Sequence, residues 1–328
     1  MTKIPFVSVI IPMFNAEKYI DVCLLSILSQ SLENIEIIVV DDKSLDASVK
    51  KVERLAHDDA RIKLIQLKKN SGPGVARNIG IKHASGKYCM FMDADDMYFD
   101  KESIEFVYNL VEKNSLLVAC CDKIDFDSQS AMYIPNSSIR TGEYILYSKD
   151  ISSVFWYTTY IYNREFILEK KIYFPEIRIF EDPVFLAKIL REIDKIYCSN
   201  RPIYVYRLMH KKAEYSLDKI KTILSAQEDI RRILSDDYNI WKCQYVSLLN
   251  VISDGRLYKN ISSDAIESLC RIQKIIRSFP KELGLKSNMA QLLLFAIFLN
   301  IGRGINSLLP IKYKKVMKII ARKLHILE

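Results

Sequence analysis

The stretch Phe91-Met92-Asp93-Ala94-Asp95-Asp96 joins an apolar segment directly to three acidic side chains. The segment that leads into it, Tyr88–Met92, is apolar and predicts a buried strand. Open α/β sheets bind ligands at the edge where such strands end. Carboxylate oxygens suit Mg²⁺ or Mn²⁺, and a metal there would allow a diphosphate to bind beside the acids. The alternative is a strand followed by an acidic helix N-cap.

The residues around this stretch alternate between strand and helix patterns. Apolar runs predict strands at Phe6–Ile11, Ile35–Val40, Ile62–Leu67 and Tyr88–Met92. Helical patterns lie between and after them, at Tyr19–Gln30, from an N-cap at Ser44 to about Ala56, at Gly74–Ala84 and at Lys101–Glu112. Strands that are apolar at every position and separated by helices indicate a parallel sheet with helices on both faces.

The pattern becomes mixed after Leu116 and helical after His210. Strands are predicted at Leu116–Cys121, Tyr160–Tyr162 and Lys195–Cys198. A helix is predicted at Pro183–Arg191, with Asp182 as its N-cap and Pro183 at its first position. Five later segments read as helices: Asp218–Ser235, Ile240–Ser253, Asp264–Phe279, Asn288–Leu299 and Tyr313–Leu324. We therefore predict an α/β domain over residues 1–215 and an all-helical region over residues 216–328.

Composition indicates a folded cytoplasmic protein. Seven cysteines without a Cys-x-x-Cys pair indicate reduced thiols. The start, Met1-Thr2-Lys3-Ile4-Pro5, leads straight into a predicted core strand, so no signal peptide is expected. The longest apolar run, Leu292–Leu299, is far shorter than the roughly 20 residues that cross a bilayer.

A basic segment near the end of the chain has two interpretations. Residues 302–323 contain seven Lys or Arg and no acidic residue. With the apolar Leu292–Leu299 before them, they form either a core helix followed by a solvated basic helix, or a peripheral contact with anionic lipid. The one aromatic residue of this segment, Tyr313, does not give the repeated aromatic interleaving of single-strand binders, so no nucleic-acid partner is predicted.

Several motifs occur in a characteristic order along the chain. They are Ser8-Val9-Ile10-Ile11-Pro12-Met13-Phe14-Asn15, Val39-Val40-Asp41-Asp42, Gly72-Pro73-Gly74-Val75-Ala76-Arg77-Asn78, Asp93-Ala94-Asp95-Asp96, Phe180-Glu181-Asp182 and Tyr204-Val205-Tyr206-Arg207. This order closely resembles family 2 glycosyltransferases of the GT-A fold, over about residues 5–210. The resemblance implies a Rossmann-like, mainly parallel sheet, with a nucleotide-sugar half near residues 1–100 and an acceptor half near residues 101–215.

The resemblance also implies roles on the nucleotide side. Pro12 and Asn15 would form the wall beneath the base, and Asp42 would accept a hydrogen bond from the uracil ring N–H. Arg77 would lie near the base or the phosphates, and Asp93 would face the ribose. Two alternatives stay open at this point: an Asx turn made by Asp41 or Asp42, and an ordinary arginine on a helix surface.

By the same resemblance, Asp95 would hold Mn²⁺ or Mg²⁺ on the diphosphate, with Asp96 beside it and His210 as a further contact. Asp182 would be the catalytic base, and Glu181 would orient the acceptor. The alternatives are that Asp182 only caps a helix and that His210 is an ordinary loop residue.

These expectations combine into one function. We expect a metal-dependent, inverting hexosyl- or N-acetylhexosaminyltransferase that moves a sugar from a UDP-sugar donor to a hydroxyl of a glycan or lipid-linked glycan acceptor. Lipopolysaccharide, capsule or O-antigen assembly is the expected setting, with possible peripheral contact at the cytoplasmic face of the inner membrane. One alternative is a sugar-phosphate nucleotidyltransferase, although Pro12-Met13-Phe14-Asn15 lacks the glycine-rich loop it needs. The other is a non-catalytic membrane or nucleic-acid binder that uses the basic segment.

Overall fold

The computed structural model describes residues 4–135, 142–150, 156–208 and 217–234. Its first half alternates strands and helices, as the sequence predicts. These elements are β1 (Val7–Met13), α1 (Ile20–Leu28), β2 (Ile35–Asp41), α2 (Ser48–Asp58), β3 (Ile62–Gln66), α3 (Pro73–His83), β4 (Tyr88–Phe91), β5 (Met97–Tyr98) and α4 (Ser103–Lys113).

The second half continues the same sheet with longer strands and fewer helices. Its elements are β6 (Val118–Asp127), β7 (Met132–Pro135), β8 (Glu143–Tyr147), β9 (Tyr160–Asn163), α5 (Arg164–Glu169), α6 (Glu181–Glu192), β10 (Lys195–Leu208) and α7 (Leu217–Ile233). Two single-turn 3-10 helices, Ser148–Asp150 and Tyr157–Thr159, complete the described elements.

The strands form one mixed sheet in the order β3-β2-β1-β4-β9-β6-β10-β5, with β7 paired to β6 and β8 to β10. The predicted parallel sheet is confirmed for its first part, since β1 pairs in parallel with β2 and β4, and β2 with β3. Val7 of β1 lies opposite Ile35 on one side and Tyr88 on the other. The carboxyl ends of these strands therefore meet at one edge.

Both faces of this parallel part are buried. Ile10 and Ile38 belong to one core cluster, whereas Ile11 and Ile37 belong to the other. Successive residues of a strand point to opposite faces, so runs that are apolar at every position fill two cores at once. Helix α3 lies very close to the sheet, because a Cβ added to Gly80 would stand 2.3 Å from Cγ2 of Ile10.

The second half of the sheet is largely antiparallel. Strand β9 runs antiparallel to both β4 and β6, and β10 runs parallel to β6 but antiparallel to β5 and β8. Strand β10 extends to Leu208, well past the predicted end at Cys198, and its register with β6 shifts around Pro202. Such an irregularity lets the strand accommodate a proline without a backbone N–H.

The predicted N-cap at Ser44 is wrong. Helix α2 begins at Ser48, and the carboxylate of Asp46 accepts from the backbone N–H of Ser48 at 3.0 Å. The hydroxyl of Ser44 instead accepts from the backbone N–H of Asn15 at 2.9 Å. A serine four residues before the helix is thus used to join two loops.

Helix α7 extends the fold beyond the predicted domain boundary near residue 215. Its Ile223, Ala226 and Ile230 are buried in the same core cluster as Leu186 and Leu190 of α6. The boundary itself stays a prediction, and the later predicted helices, the apolar run at residues 292–299 and the basic segment lie outside the described residues. Across the described ranges, no helix is long and apolar enough to cross a membrane, and the five described cysteines are free.

Replacement of Glu36 on β2 is expected to have a large effect on stability. It is 3% exposed, and one carboxylate oxygen accepts from Ser8 Oγ and from the backbone N–H of Ser85, both at 2.6 Å. Burial raises its pKa, but the bonds from Lys63, Ser8 and Ser85 outweigh this and lower the pKa to about 2. We expect Glu36→Ala to cost roughly 3 kcal/mol of unfolding free energy, because buried donors lose their acceptor.

The pH dependence of the Glu36 contribution has a definite sign. Because the folded-state pKa lies below the ordinary value of about 4.3, the stabilisation is present above that pH and is lost as the pH falls towards 2. Urea unfolding of wild type and Glu36→Ala between pH 7 and pH 3 measures it, with exposed Glu53→Ala as the control. Equal losses of unfolding free energy in Glu36→Ala and Glu53→Ala at pH 7 would contradict the expectation.

Candidate active site

The loops after β1 and β2 meet at the carboxyl edge of the sheet. Asn15 has a positive φ of 50°, and its side-chain oxygen accepts from the backbone N–H of Leu45 at 2.8 Å. The carboxylate of Asp41 accepts from the backbone N–H of Ser44 at 3.2 Å. The Asp41 carboxylate thus bonds its own loop three residues on and not the two residues on of an Asx turn, while Asp42 makes different contacts.

Asp42 lies at a small cavity beside these loops. It is 3% exposed, and its two oxygens accept from the backbone N–H groups of Ser71 at 2.6 Å and Gly72 at 2.8 Å. An ionised carboxylate has about four acceptor positions, and these two bonds use two of them. The cavity has a volume of about 150 Å³ and is lined by Pro12, Met13, Phe14, Asp42, Asn70, Gly72, Pro73 and Arg178. Two predicted base-site residues, Pro12 and Asp42, therefore share one cavity, and Asn15 lies on the adjoining loop.

Arg77 of α3 lies in the interior and is 4% exposed, so the helix-surface alternative is wrong. Its guanidinium donates to Glu181 Oε1 at 2.6 Å, to Asp93 Oδ1 at 2.8 Å and to Tyr157 Oη at 2.5 Å. The Tyr157 hydroxyl in turn donates to Asp93 Oδ1 at 2.6 Å. Arg77 thereby joins the end of β4 to the start of α6.

The start of α3 packs directly against the segment that precedes α6. Gly72 caps α3 with a φ of 94°, a conformation that favours glycine. A Cβ added to Gly74 would stand 2.6 Å from the carbonyl oxygen of Pro175. This close approach brings Arg77, one turn later, within reach of Glu181.

The three aspartates after β4 do not cap a helix, because a turn and the short strand β5 follow them. The helix-cap alternative is therefore wrong. Asp96 is 1% exposed and accepts from Tyr204 Oη at 2.6 Å and from the backbone N–H of Arg207 at 2.7 Å. Arg207 Nε also donates to the carbonyl oxygen of Asp95 at 2.8 Å. Strand β10 thus holds this acidic turn in place.

The environment of these carboxylates favours a cation. Burial, together with repulsion from the neighbouring Asp93 and Asp95, raises the pKa of Asp96 to about 8. Burial and then Asp93 also raise the pKa of Asp95. Acids that are crowded and desolvated in this way are stabilised in their ionised form by a nearby positive charge.

The donor set fits a metal that takes few protein ligands. Among the described residues, no group of three or more His, Cys, Asp or Glu side chains could hold a metal by itself. Asp95 is partly exposed and its carboxylate interacts with its own backbone N–H, whereas both oxygens of Asp96 accept bonds inside the protein. Mg²⁺ is commonly bound by one or two carboxylates together with substrate phosphates. Asp95 fits such a ligand, and Asp96 fits a supporting position.

Asp182 lies in the first turn of α6, so the prediction that it caps this helix is wrong. The helix begins at Glu181, and the cap residue is Phe180 in the left-handed conformation with a φ of 64°. Pro183 is tolerated here because N–H groups in the first turn have no helical partner. Burial, and then the adjacent Glu181, raise the pKa of Asp182 to about 7. A partly exposed carboxylate with this pKa suits a general base near neutral pH.

Sequence reasoning did not identify three residues of this site. Tyr157 has no recognisable motif around it, and Arg178 lies in an irregular segment. Tyr204 did carry a signal, because it belongs to the Tyr204-Val205-Tyr206-Arg207 motif. His210, the remaining predicted site residue, lies outside the described residues.

Residues 8–174 match the family described as glycosyl transferase family 2. The chain belongs to this family. EpsJ of Bacillus subtilis, described as an uncharacterized glycosyltransferase, is 33% identical over 213 residues, which are 62% of this chain and 61% of EpsJ. The matched region is thus less than two thirds of that relative. The match confirms the resemblance inferred from the motifs and favours a glycosyltransferase over the two alternative functions.

Solved structures with low sequence identity share the fold. S. aureus TarS 1-349 in complex with UDP-GlcNAc gives a TM-score of 0.71 at 22% identity, covering 88% of this chain and 86% of TarS. Mannosyltransferase PcManGT from Pyrobaculum calidifontis in complex with GDP-Man and Mn²⁺ gives a TM-score of 0.54 at 16% identity, covering 98% of this chain and 85% of PcManGT. The predicted GT-A-like α/β fold is confirmed.

Proposed function

We propose that this family 2 glycosyltransferase moves a sugar from a UDP-sugar to a hydroxyl of a surface glycan, with inversion at the anomeric carbon and with Mn²⁺ or Mg²⁺. One observation carries the proposal: Arg77 joins Asp93, on the donor side, to Glu181, next to Asp182. A donor-side carboxylate and the residue next to the base candidate are thus joined in one hydrogen-bonded network at the edge where α/β sheets bind ligands.

The donor part of the proposal rests on the cavity that Pro12 and Asp42 line. An acceptor held at the end of a strand suits a base edge with one N–H between carbonyl groups, as in uracil. The shared fold of TarS, which was crystallised with UDP-GlcNAc and with UDP, supports a uridine nucleotide. We propose a hexose or N-acetylhexosamine as the transferred sugar.

Among the described residues, Asp95 is proposed to hold the metal, and Asp96 supports the turn. His210 is a further predicted contact. When bound, Mn²⁺ or Mg²⁺ neutralises negative charge on the departing diphosphate. The shared fold of PcManGT, whose structure is in complex with GDP-Man and Mn²⁺, supports the choice of metal. Tyr204 and Arg207 hold the acidic turn, so the Asp95 carboxylate keeps its place as the donor binds.

Asp182 is proposed to take the proton of the acceptor hydroxyl as its oxygen bonds to the anomeric carbon. The bond from that carbon to the diphosphate oxygen breaks, its electrons remain on the diphosphate, and UDP leaves. One base is sufficient because no covalent enzyme intermediate forms. Glu181 is ion-paired with Arg77, which leaves the adjacent Asp182 as the carboxylate with a base-like pKa of about 7.

A binding measurement tests the metal and the donor together. We expect UDP with Mn²⁺ to raise the melting temperature more than UDP alone, and Asp95→Ala to remove the metal-dependent part. Ligand at 100 times its Kd adds about 2.7 kcal/mol of stability, so differential scanning fluorimetry will resolve the shift. Asp58→Ala, an exposed carboxylate at the end of α2, is the control. Equal stabilisation by UDP with and without metal in the wild type would exclude the metal role.

Peripheral contact with the membrane is proposed for the basic segment at residues 302–323. Each basic residue near an anionic surface adds about 1 kcal/mol, so the seven of this segment suffice for attachment. Truncation after residue 300 is expected to reduce binding to phosphatidylserine vesicles in a salt-sensitive way while UDP binding survives. Vesicle sedimentation at low and high salt measures this, and unchanged binding would favour the core-helix interpretation instead.

A further inference from the structure

Arg178 lies in the irregular segment that leads into α6, yet it contacts the loop before α3. Its guanidinium donates to Asn70 Oδ1 at 2.6 Å and to the Asn70 carbonyl oxygen at 3.2 Å. The two residues are 108 positions apart in the chain. Arg178 is exposed, so no burial forces this contact, and two hydrogen bonds to one residue fix the direction of the side chain.

Asn70 also connects Arg178 to Asp42 through a further hydrogen bond. Asn70 Nδ2 donates to the backbone carbonyl of Asp42 at 3.1 Å. The stem of Arg178 also lies over the loop, since a Cβ added to Gly72 would stand 3.5 Å from its Cγ. Arg178 and Asp42 therefore line one cavity of about 150 Å³ from two distant parts of the chain.

The two side chains offer opposite hydrogen-bonding groups to that cavity. A guanidinium has five N–H donors, and the contacts with Asn70 leave several of them for a ligand. Asp42 offers only acceptors. Phe14, which is 48% exposed, adds an apolar surface to the same cavity. A donor, an acceptor and an aromatic face around one small cavity suit a flat heterocycle.

We propose that Arg178 reads the nucleobase, donating to the C4 carbonyl oxygen of uracil while Asp42 accepts from the ring N–H. The inference rests on the proposed UDP-sugar donor and deepens it. Cytosine has almost the same size as uracil, but it presents a bare ring nitrogen and an amino group where uracil has an N–H and a carbonyl. The Arg178–Asp42 pair therefore favours uracil over cytosine, because a cytosine would leave polar groups unpaired.

Isothermal titration calorimetry with UDP and CDP, each in excess Mn²⁺, tests this assignment. The wild type is expected to bind UDP more tightly than CDP. Arg178→Ala is expected to weaken UDP binding by roughly tenfold or more, which is the value of a charge-assisted hydrogen bond. CDP binding is expected to weaken by less, so the Kd values for the two nucleotides should become more similar. Arg178→Lys keeps the charge without the planar fork and is expected to narrow the ratio as well. Arg191→Ala, at the far end of α6, is the control.

Three outcomes overturn the inference. Unchanged UDP affinity in Arg178→Ala removes any role for this residue in donor binding. Equal weakening of UDP and CDP binding would assign Arg178 to a group that both nucleotides share, such as the diphosphate or the C2 carbonyl oxygen, and would remove its role in choosing the base. Failure of the wild type to bind UDP overturns the proposed donor itself, and this failure is seen before any variant is made.

Discussion

Asp182→Asn is expected to lower sugar transfer by roughly 10²–10⁴-fold, the usual loss when a general base is removed. The amide has nearly the same shape as the carboxylate but cannot take the acceptor proton. The folded state should not be weakened, because burial disfavours the ionised carboxylate there and raises its pKa to about 7. UDP binding with Mn²⁺ should be unchanged, since Asp182 is assigned to the acceptor side. Transfer assays and calorimetry on the same preparation separate the two effects.

The pH dependence gives an independent check on Asp182. Transfer by the wild type should rise as the pH increases through about 7 and then level off, because the base must be ionised. The folded-state pKa lies above the ordinary value of about 3.9, so the folded protein holds the extra proton between these pH values. Asp182 therefore costs stability as the pH rises through this window, and Asp182→Asn should gain relative stability at pH 8 compared with pH 5.

Exposed Asp58→Asn is the control for both measurements, because it changes the same charge at the surface. Near-normal transfer by Asp182→Asn would mean that the base lies elsewhere. Glu181 and the carboxylates between Asp122 and Asp127 would then be the next candidates.

Arg77→Ala is expected to produce the largest loss of stability among single substitutions in the site. It would leave Glu181, whose side chain is 7% exposed, and Asp93, whose side chain is 30% exposed, without their shared cation. Removing one partner of a buried ion pair typically costs about 3–5 kcal/mol. For a domain of this size, we expect the melting temperature to fall by on the order of 10 °C.

Arg54→Ala is the matched control, because Arg54 also pairs with an aspartate but its side chain is 67% exposed. Exposed pairs are worth about 0–1 kcal/mol, so this variant should melt near the wild-type temperature. Arg77→Lys keeps the charge but loses the fork that reaches three partners, and it should fall between the two. Equal melting temperatures for Arg77→Ala and Arg54→Ala would show that the Arg77 network does not stabilise the fold.

The parallel half of the fold was predictable because its strands are buried on both faces. Residues such as Ile10 and Ile11 fill opposite cores, so nearly every position of these strands is apolar and the pattern is clear. Strand β6 is only partly buried towards its end, and β10 contains Pro202. Their antiparallel neighbours depend on contacts far along the chain, which no local pattern encodes.

The starts of two helices were also not predictable from the adjacent sequence. Ser44 and Asp182 both have the residue type of a cap, yet Ser44 accepts a hydrogen bond from Asn15 of another loop, and Asp182 lies inside the first turn of its helix. Side chains of this type form hydrogen bonds with whichever backbone group is nearest. That choice is set by tertiary contacts and not by the adjacent sequence.

The motifs predicted which acidic residues gather at the sheet edge but not what joins them. The contact of Arg77 with Glu181 spans 104 positions and that of Arg77 with Tyr157 spans 80. In the sequence, Arg77 and Glu181 belong to two separate motifs. Their ion pair depends on the fold, which brings the start of α6 to α3.

The stereochemistry of donor hydrolysis tests the central claim most directly, because it needs no knowledge of the acceptor. An α-linked UDP-sugar is incubated with the protein and Mn²⁺, and the anomer formed first is identified by proton NMR before mutarotation. We predict that the β-anomer forms first, that its formation depends on the metal, and that Asp182→Asn loses it. First formation of the α-anomer would contradict the inverting mechanism, and hydrolysis at the same rate without metal would contradict the metal requirement.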